Sequence, residues 1–369
     1  MKITALVSRG PASPLSIEPL EIDEPRPDEI LVRLSAVGVC HTDIVTRSFF
    51  PEGAPIVLGH EGAGTVEAVG AEVSAVTVGD KVLLSYRSCG NCRTCTAGAR
   101  AYCERFAALN VSGGRGDGTT PLHDRTGGPI GGGFFGQSSF ATHALVTESN
   151  AVRVPADTNL VATASFGCGM QTGAGVVANV LRPQKTDSVV VFGTGAVGMA
   201  AIMAARALGV GTIIGVDLSE DRLALARELG ATRTFSGSAP GLVESIHAAT
   251  SGGATHGLDT TGNAGVVRTA TDALAPLGTL VVVGTGGSEL TLDSTTFIGA
   301  GKTIRGSIEG DADPHEFIPT LLTWHAEGLF PVERLVSTYH FDAVNEAMAD
   351  SISGVTVKPV LVFSETEGE

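Results

Sequence analysis

The residues of this chain best suited to chemistry are its six cysteines, which fall into two unequal groups. Cys89, Cys92, Cys95 and Cys103 stand together as C-x2-C-x2-C-x7-C. Four soft thiolates at that spacing match a tetrahedral zinc site closed to water, the kind that staples a fold. Two other readings of the cluster are weaker. Disulfides need an oxidising compartment, and Met1 to Pro14 has no apolar core of signal-peptide length. An iron–sulfur run would carry an x3 interval and a proline after its fourth cysteine, and this cluster has neither.

Cys40 and Cys168 remain, far apart in sequence. Cys40 opens Cys40-His41-Thr42-Asp43, and His60 follows in Gly59-His60-Glu61-Gly62. Cys168 lies in Gly167-Cys168-Gly169-Met170-Gln171-Thr172-Gly173. Taken singly, an isolated cysteine is usually a small buried hydrophobe. Two cysteines with one histidine would instead make a three-ligand set with an open fourth position, as a catalytic zinc needs.

A third constellation is Gly193-Thr194-Gly195-Ala196-Val197-Gly198, a G-x-G-x-x-G turn. In a chain with 49 glycines that spacing alone is weak, and its setting carries the argument. The apolar strand Ser188–Phe192 precedes it, a helix follows, and Asp217 ends the next strand. This is the dinucleotide fingerprint: glycines for the turn and close approach, a helix N-terminus for the pyrophosphate, a carboxylate for the ribose hydroxyls. A carboxylate at Asp217 repels a 2′-phosphate and so favours NAD over NADP, although Arg222 nearby could neutralise part of that repulsion.

These groups must be positioned by two kinds of structure. The first third of the chain reads as β-rich, with short apolar runs at Ile3–Val7, Glu29–Ala36, Gly64–Val69 and Lys81–Leu84. Residues 112–136, rich in Gly, Thr and Asp, predict a long functional loop. From Leu181 strands and helices alternate, which implies a parallel sheet covered on both faces. Ser188–Phe192, Thr212–Val216, Thr232–Phe235, Gly257–Thr260, Thr279–Val283 and Lys302–Ser307 are its expected strands. A helix at Val197–Leu208 and another capped by Ser219 and ended at Gly230 lie between them. After Ile308 a helix at Pro314–Glu327, a strand at Val336–Phe341, a further helix and a strand at Lys358–Phe363 close the chain.

Bulk properties limit the partners. With 369 residues, 43% of them apolar, two domains with sizeable cores are expected. The net charge of −15 and the lack of clustered Lys and Arg argue against a nucleic-acid partner. The apolar region Val189–Val216 contains Arg206 and five glycines between Gly193 and Gly211, so it reads as strand, turn, helix and strand rather than a membrane span. A cytoplasmic protein with no membrane partner is expected.

Jointly, Gly38-Val39-Cys40-His41-Thr42-Asp43, Gly59-His60-Glu61-Gly62-Ala63-Gly64, the four-cysteine cluster and the glycine turn resemble the zinc-dependent medium-chain alcohol dehydrogenases over essentially the whole chain. Phe135-Gly136-Gln137-Ser138-Ser139-Phe140-Ala141 and the segment around Cys168 look most like the aryl- and benzyl-alcohol branch. The resemblance implies an α/β protein with a β-rich GroES-like catalytic domain (1–169 and 308–369) and a doubly wound Rossmann coenzyme domain (170–307). It implies two zinc ions per chain: a catalytic one on Cys40, His60 and Cys168, and a structural one on Cys89, Cys92, Cys95 and Cys103. Asp43 would hold the His60 ring, and Glu61 would be a nearby carboxylate able to approach the metal. Thr42 would take the substrate proton into a relay. His41 and Lys358 would approach the cofactor pyrophosphate, while Thr172 and Val197 would line the nicotinamide.

The implied reaction is reversible NAD-dependent oxidation of a primary alcohol, aromatic or allylic, with hydride leaving a zinc-bound alkoxide. Two positions depart from the pattern. Val45 stands where many relatives carry a histidine, so the last proton step must use water or another group. His41 stands where many carry an arginine, which predicts looser NADH binding. Glutathione-dependent formaldehyde oxidation is the near alternative, and a non-catalytic zinc- and NAD-binding sensor is the alternative from another class. A homodimer or homotetramer is expected, with the strand near Lys302–Ser307 available to pair across a two-fold axis.

Overall fold

The computed structural model describes residues 1–286 and 289–363. The chain forms two compact units: Met1–Cys168 with Asp313–Pro319 and the stretch from Val332 onward, and Gly169–Ala312 with Thr320–Pro331. Residues 308–312 and 320–331, expected with the first domain, group with the second. The 309–311 turn shows why locally. The Gln171 amide donates to the Glu309 carboxylate at 2.9 Å, and Asn179 donates to the Gly310 carbonyl at 3.1 Å. Both donors belong to the helical stretch that opens the second unit.

In the first unit the strand Glu29–Gly38 is buried along most of its length, as a central strand of Val, Leu and Ile should be. It pairs antiparallel with Gly62–Val69, His143–Thr147 and Lys358–Val362. The register sets Val37 opposite Gly62, and the Gly38 N–H donates to the Glu61 carbonyl at 3.1 Å. Cys40 and His60, twenty residues apart in sequence, are thereby brought side by side just beyond the ends of two paired strands. A second sheet runs in the order Ile56–Val57, Lys2–Ser8, Ser16–Ile22, Leu122–His123, Pro129–Ile130.

The expected long loop is therefore not featureless. Two-residue strands at Leu122–His123 and Pro129–Ile130 are too short for any hydrophobic periodicity to announce. Arg115 anchors the loop further. Its guanidinium donates to both oxygens of Glu29, at 2.6 and 2.9 Å, and to Asp23 at 2.6 Å. The strands Ser16–Ile22, His143–Thr147 and Ala151–Val154 were not expected from the sequence.

The second unit is a six-stranded, wholly parallel sheet. Numbering its strands within the unit, their spatial order is 3-2-1-4-5-6. Strand Ser188–Phe192 is fully buried and sits centrally beside Ala254–Asp259, so the order reverses between these two. Ligands of such sheets bind in the crevice at that reversal, beyond the carboxyl ends of the strands. The Gly193 turn leaves the first of them. Helix Glu220–Leu229 carries its N-cap as expected, Ser219 Oγ accepting from the Arg222 N–H at 3.4 Å. Among the described residues no single helix is long and apolar enough to cross a membrane.

Candidate active site

Cys40 is the N-cap of the short helix His41–Thr46, and Asp43 in the first turn accepts from the Cys40 N–H at 3.0 Å. The same carboxylate accepts from the Gly59 N–H at 3.1 Å and meets His60 Nδ1 at 2.8 Å. Asp43 is fully buried, so these contacts take the place of the water it has lost. An ionised carboxylate against Nδ1 requires a proton there, which leaves the Nε2 lone pair available. Cys168 arrives from the turn after Ala164–Gly167, fastened by the Ser85 hydroxyl donating to the Gly167 carbonyl at 2.6 Å.

Cys40 Sγ, one nitrogen of His60 and Cys168 Sγ all lie within 4.8 Å of one another. His60 Nε2 is buried and has no hydrogen-bond partner among the described residues. The Cys40 thiol is held well below its ordinary range, chiefly by Cys168 and then by His60, against the opposing effect of burial. A buried imidazole nitrogen without a partner beside acidified sulfur is the donor set a soft divalent cation satisfies. The residues fit a three-ligand zinc.

Glu61, next to His60 in sequence, is paired with Lys358. Lys358 is buried, and its ammonium holds both oxygens of Glu61 at 2.9 Å and reaches the Val39 carbonyl at 3.3 Å. Burial works against the charge, but the Glu61 and Cys40 side chains raise the lysine above its ordinary value. Lys358, expected at the cofactor pyrophosphate, is here engaged with Glu61. Thr42 is half-buried on the helix beside Cys40, and its hydroxyl has no partner among the described residues. His41 is exposed.

The four-cysteine cluster is built from one short stretch. Its ligand atoms lie within 4.8 Å of one another, with Cys89–Cys95 and Cys92–Cys103 sulfurs 3.9 and 4.0 Å apart. Four sulfurs each about 2.3 Å from one ion would stand roughly 3.8 Å apart, so the cluster fits a tetrahedral zinc. Main-chain N–H groups of Cys89 and Arg105 point at Cys103, and that of Glu104 points at Cys92, each at 3.4 Å. The Thr94 hydroxyl and neighbouring N–H groups pull the Cys92 thiol down to about 5, whereas burial and the adjacent sulfur push Cys95 up to about 12. So many crowded sulfurs become anionic together only around a cation.

In the second unit the three turn glycines do three different things. Gly193 has φ +86°, and a Cβ there would strike Thr260 Oγ1 at 2.4 Å. A Cβ on Gly198 would lie 1.9 Å from the Gly193 carbonyl oxygen, so the helix can approach the turn only without one. A Cβ on Gly195 would meet nothing within 4 Å. A tight turn, close helix packing and open space for a ligand are the roles a dinucleotide turn assigns to these positions. Asp217 is fixed beside the turn, accepting from the Thr194 N–H at 2.7 Å, the Thr194 hydroxyl at 2.9 Å and the Ser219 N–H at 3.0 Å. Arg222 lies half-buried on the following helix. Thr172 and Val197 are half-buried on two helices in contact, where a Cβ on Gly173 would lie 1.9 Å from the Val197 carbonyl oxygen. The residues fit NAD(H).

A GroES-like β unit with a Cys2His donor set, coupled in sequence to a doubly wound dinucleotide unit, defines a class, and the chain belongs to the zinc-dependent medium-chain alcohol dehydrogenases. Residues 26–156 match the family described as alcohol dehydrogenase GroES-like domain, and residues 196–327 the one described as zinc-binding dehydrogenase. The chain is 46% identical to geraniol dehydrogenase of Castellaniella defragrans over 97% of each chain. It superposes on the crystal structure of benzyl alcohol dehydrogenase from Acinetobacter calcoaceticus with a TM-score of 0.95 at 40% identity, covering 99% of this chain and 100% of that one. S-(hydroxymethyl)glutathione dehydrogenase of Saccharomyces cerevisiae is 32% identical over 99% of this chain and 97% of its own. The protein is accordingly an enzyme that oxidises small-molecule alcohols with zinc and NAD(H).

The sequence carries no sign of the Lys358–Glu61 pair, nor of Gln137, whose side-chain amide donates to the His60 carbonyl at 2.9 Å and the Ser85 carbonyl at 3.1 Å. Buried ion pairs between distant segments leave no periodic or spacing signal. Gln137 lies in Phe135-Gly136-Gln137-Ser138-Ser139, but nothing in that pattern says which backbone it reaches.

Proposed function

We propose that the chain oxidises primary alcohols with an allylic or benzylic carbinol carbon to aldehydes, reversibly, with NAD as hydride acceptor. The observation that carries this reading is the convergence of Cys40, His60 and Cys168 around a buried, unpartnered imidazole nitrogen. The greater identity to a geraniol dehydrogenase than to a hydroxymethylglutathione dehydrogenase supports the substrate class.

When bound, zinc supplies a Lewis acid that makes a nearby alcohol hydroxyl easier to deprotonate. Cys40, His60 and Cys168 would hold it and leave one position open, while Cys89, Cys92, Cys95 and Cys103 would hold a second ion with no position free. Asp43 keeps the proton on His60 Nδ1, so Nε2 keeps its lone pair free for a metal. Thr42 Oγ1 accepts the substrate hydroxyl proton and passes its own onward, and with Val45 in the next turn the exit to solvent runs through water. Gly193, Gly195 and Gly198 would receive the pyrophosphate, and His41 would be a pH-dependent partner for it. Asp217 would bond the ribose hydroxyls and disfavour a 2′-phosphate even with Arg222 close by, while Thr172 and Val197 would flank the nicotinamide. The edge strand Thr303–Gly306 of the parallel sheet supports assembly as a homodimer or homotetramer.

The test follows NADH absorbance with benzyl alcohol, geraniol, ethanol and hydroxymethylglutathione, each with NAD and with NADP. Benzyl alcohol or geraniol should exceed ethanol in kcat/KM by at least about tenfold, in line with what pocket fit can discriminate. A preference for hydroxymethylglutathione, or for NADP, would overturn the reading.

A further inference from the structure

We propose that the segment Phe134–Ser139 is a positioning clamp for His60, with Gln137 holding the histidine's main chain and Phe135 its ring. This rests on the reading of His60 as a metal ligand. Asp43 fixes the tautomer of the imidazole, but one hydrogen bond still lets a ring pivot about the Nδ1–carboxylate line. Something else must stop that motion if Nε2 is to stay aimed at the sulfurs.

Two rings do so. The Phe135 ring lies against the imidazole with centroids 4.6 Å apart and planes 31° apart, while Phe134 meets it edge-on at 5.5 Å and 90°. Phe135 is buried and takes up φ +51° and ψ +31°, a left-handed conformation unfavourable for a bulky residue. Ser138 three residues on has φ +53°. Such conformations persist where the surroundings over-determine them, and they cluster where geometry matters to function. Here Ser138 Oγ donates to the Val57 carbonyl at 2.7 Å and accepts from the Phe134 N–H at 2.9 Å, pinning the segment at both ends.

Gln137 supplies the other half of the clamp. Its Nε2 donates to the carbonyls of His60, at 2.9 Å, and Ser85, at 3.1 Å. Its Oε1 accepts from the Gly62 N–H at 3.1 Å and the Ser139 hydroxyl at 2.5 Å. All four hydrogen-bonding capacities of the amide are used, two of them on the main chain at and just after His60. The glycines flanking the histidine make room. A Cβ on Gly62 would lie 2.3 Å from Ser139 Oγ, and one on Gly59 would lie 2.5 Å from the Phe140 nitrogen. The Gly59-His60-Glu61-Gly62 pattern is thus the imprint of the clamp closing on the ligand from both sides.

Phe135→Leu, Phe135→Gly and Gln137→Asn in the zinc-loaded, full-length enzyme test the proposal through metal release to a chromophoric chelator. Groups that orient a metal's ligands typically govern metal affinity by 10–100-fold, so one zinc should leave about tenfold or more faster in each variant. The zinc of the four-cysteine cluster should leave at the wild-type rate, and the ligand-field bands of the cobalt-substituted enzyme should shift. Phe135→Gly relieves the backbone strain but empties the ring's buried space, so it should melt below Phe135→Leu, and at a temperature well under either Tm it should release metal at least as fast. Unchanged release overturns the clamp, as does equal acceleration of both zincs with a fall in Tm. A wild-type enzyme that binds only one zinc overturns the ligand reading itself, and is distinguished by metal analysis before any variant is made.

Discussion

The two cysteine sites of the first unit solve the same problem of holding soft donors together, and they solve it differently. The four-cysteine cluster is local: one stretch of fifteen residues folds around itself and turns its own N–H groups on its sulfurs. The Cys40–His60–Cys168 site is assembled from three distant segments held by neighbours that are not ligands: Asp43 on Cys40 and His60, Gln137 on His60, and Ser85 on the residue before Cys168. A closed site needs only that its donors be near one another. An open site must also keep a donor aimed where nothing in the protein yet meets it, which calls for buried carboxylates and strained backbone around it.

If that contrast is right, damage to the two sites should separate cleanly. The largest effect is expected of His60→Ala, which should cost about 4 kcal/mol of transition-state stabilisation, roughly a thousandfold in kcat/KM for benzyl alcohol. Zinc content should fall from two to one, with Tm down by only a few degrees for the buried contact Asp43 loses; a melted protein would collapse the distinction. Cys95→Ser should do the reverse. Losing the staple should remove roughly 3 kcal/mol of stability, lowering Tm by about 5–10 °C in calorimetry, while kcat of the folded enzyme stays near wild type. Asp43→Asn comes next, with metal affinity at the open site down about 10–100-fold and the cluster's zinc unmoved. His41→Arg touches neither donor set, and should only tighten NADH, by less than about tenfold in fluorescence titration. Failure to tighten would remove His41 from the cofactor site.

How far each site can be read from sequence follows the same division. Spacing alone exposes Cys89 to Cys103, because donors adjacent in sequence are adjacent in space. The glycine turn is legible for the same reason, given its flanking strand and Asp217. Cys40, His60 and Cys168 are legible only through resemblance, since their convergence depends on the Val37–Gly62 register and on a Ser85–Gly167 bond that no pattern encodes. The parallel sheet is readable from its alternation of strand and helix, whereas two-residue strands and the grouping of 308–312 with the coenzyme unit depend on long-range contacts. Lys358 illustrates the limit: resemblance implies a place at the pyrophosphate, and no spacing in the sequence signals its buried pair with Glu61.

The anchoring of Arg115 bears on how this protein can change over time. A loop spanning residues 112–136 would ordinarily have to be closed as one long excursion, with an entropic penalty that grows as it lengthens. The guanidinium on Glu29 and Asp23, and the small hairpin beyond it, divide that excursion into short arches with exposed turns at 116–118 and 124–128. Residues can be inserted or exchanged at those turns while the pins, and the central strand leading to Cys40, stay in place. Mutational drift and laboratory diversification should therefore find tolerant ground at the crests of the arches and meet resistance at their feet.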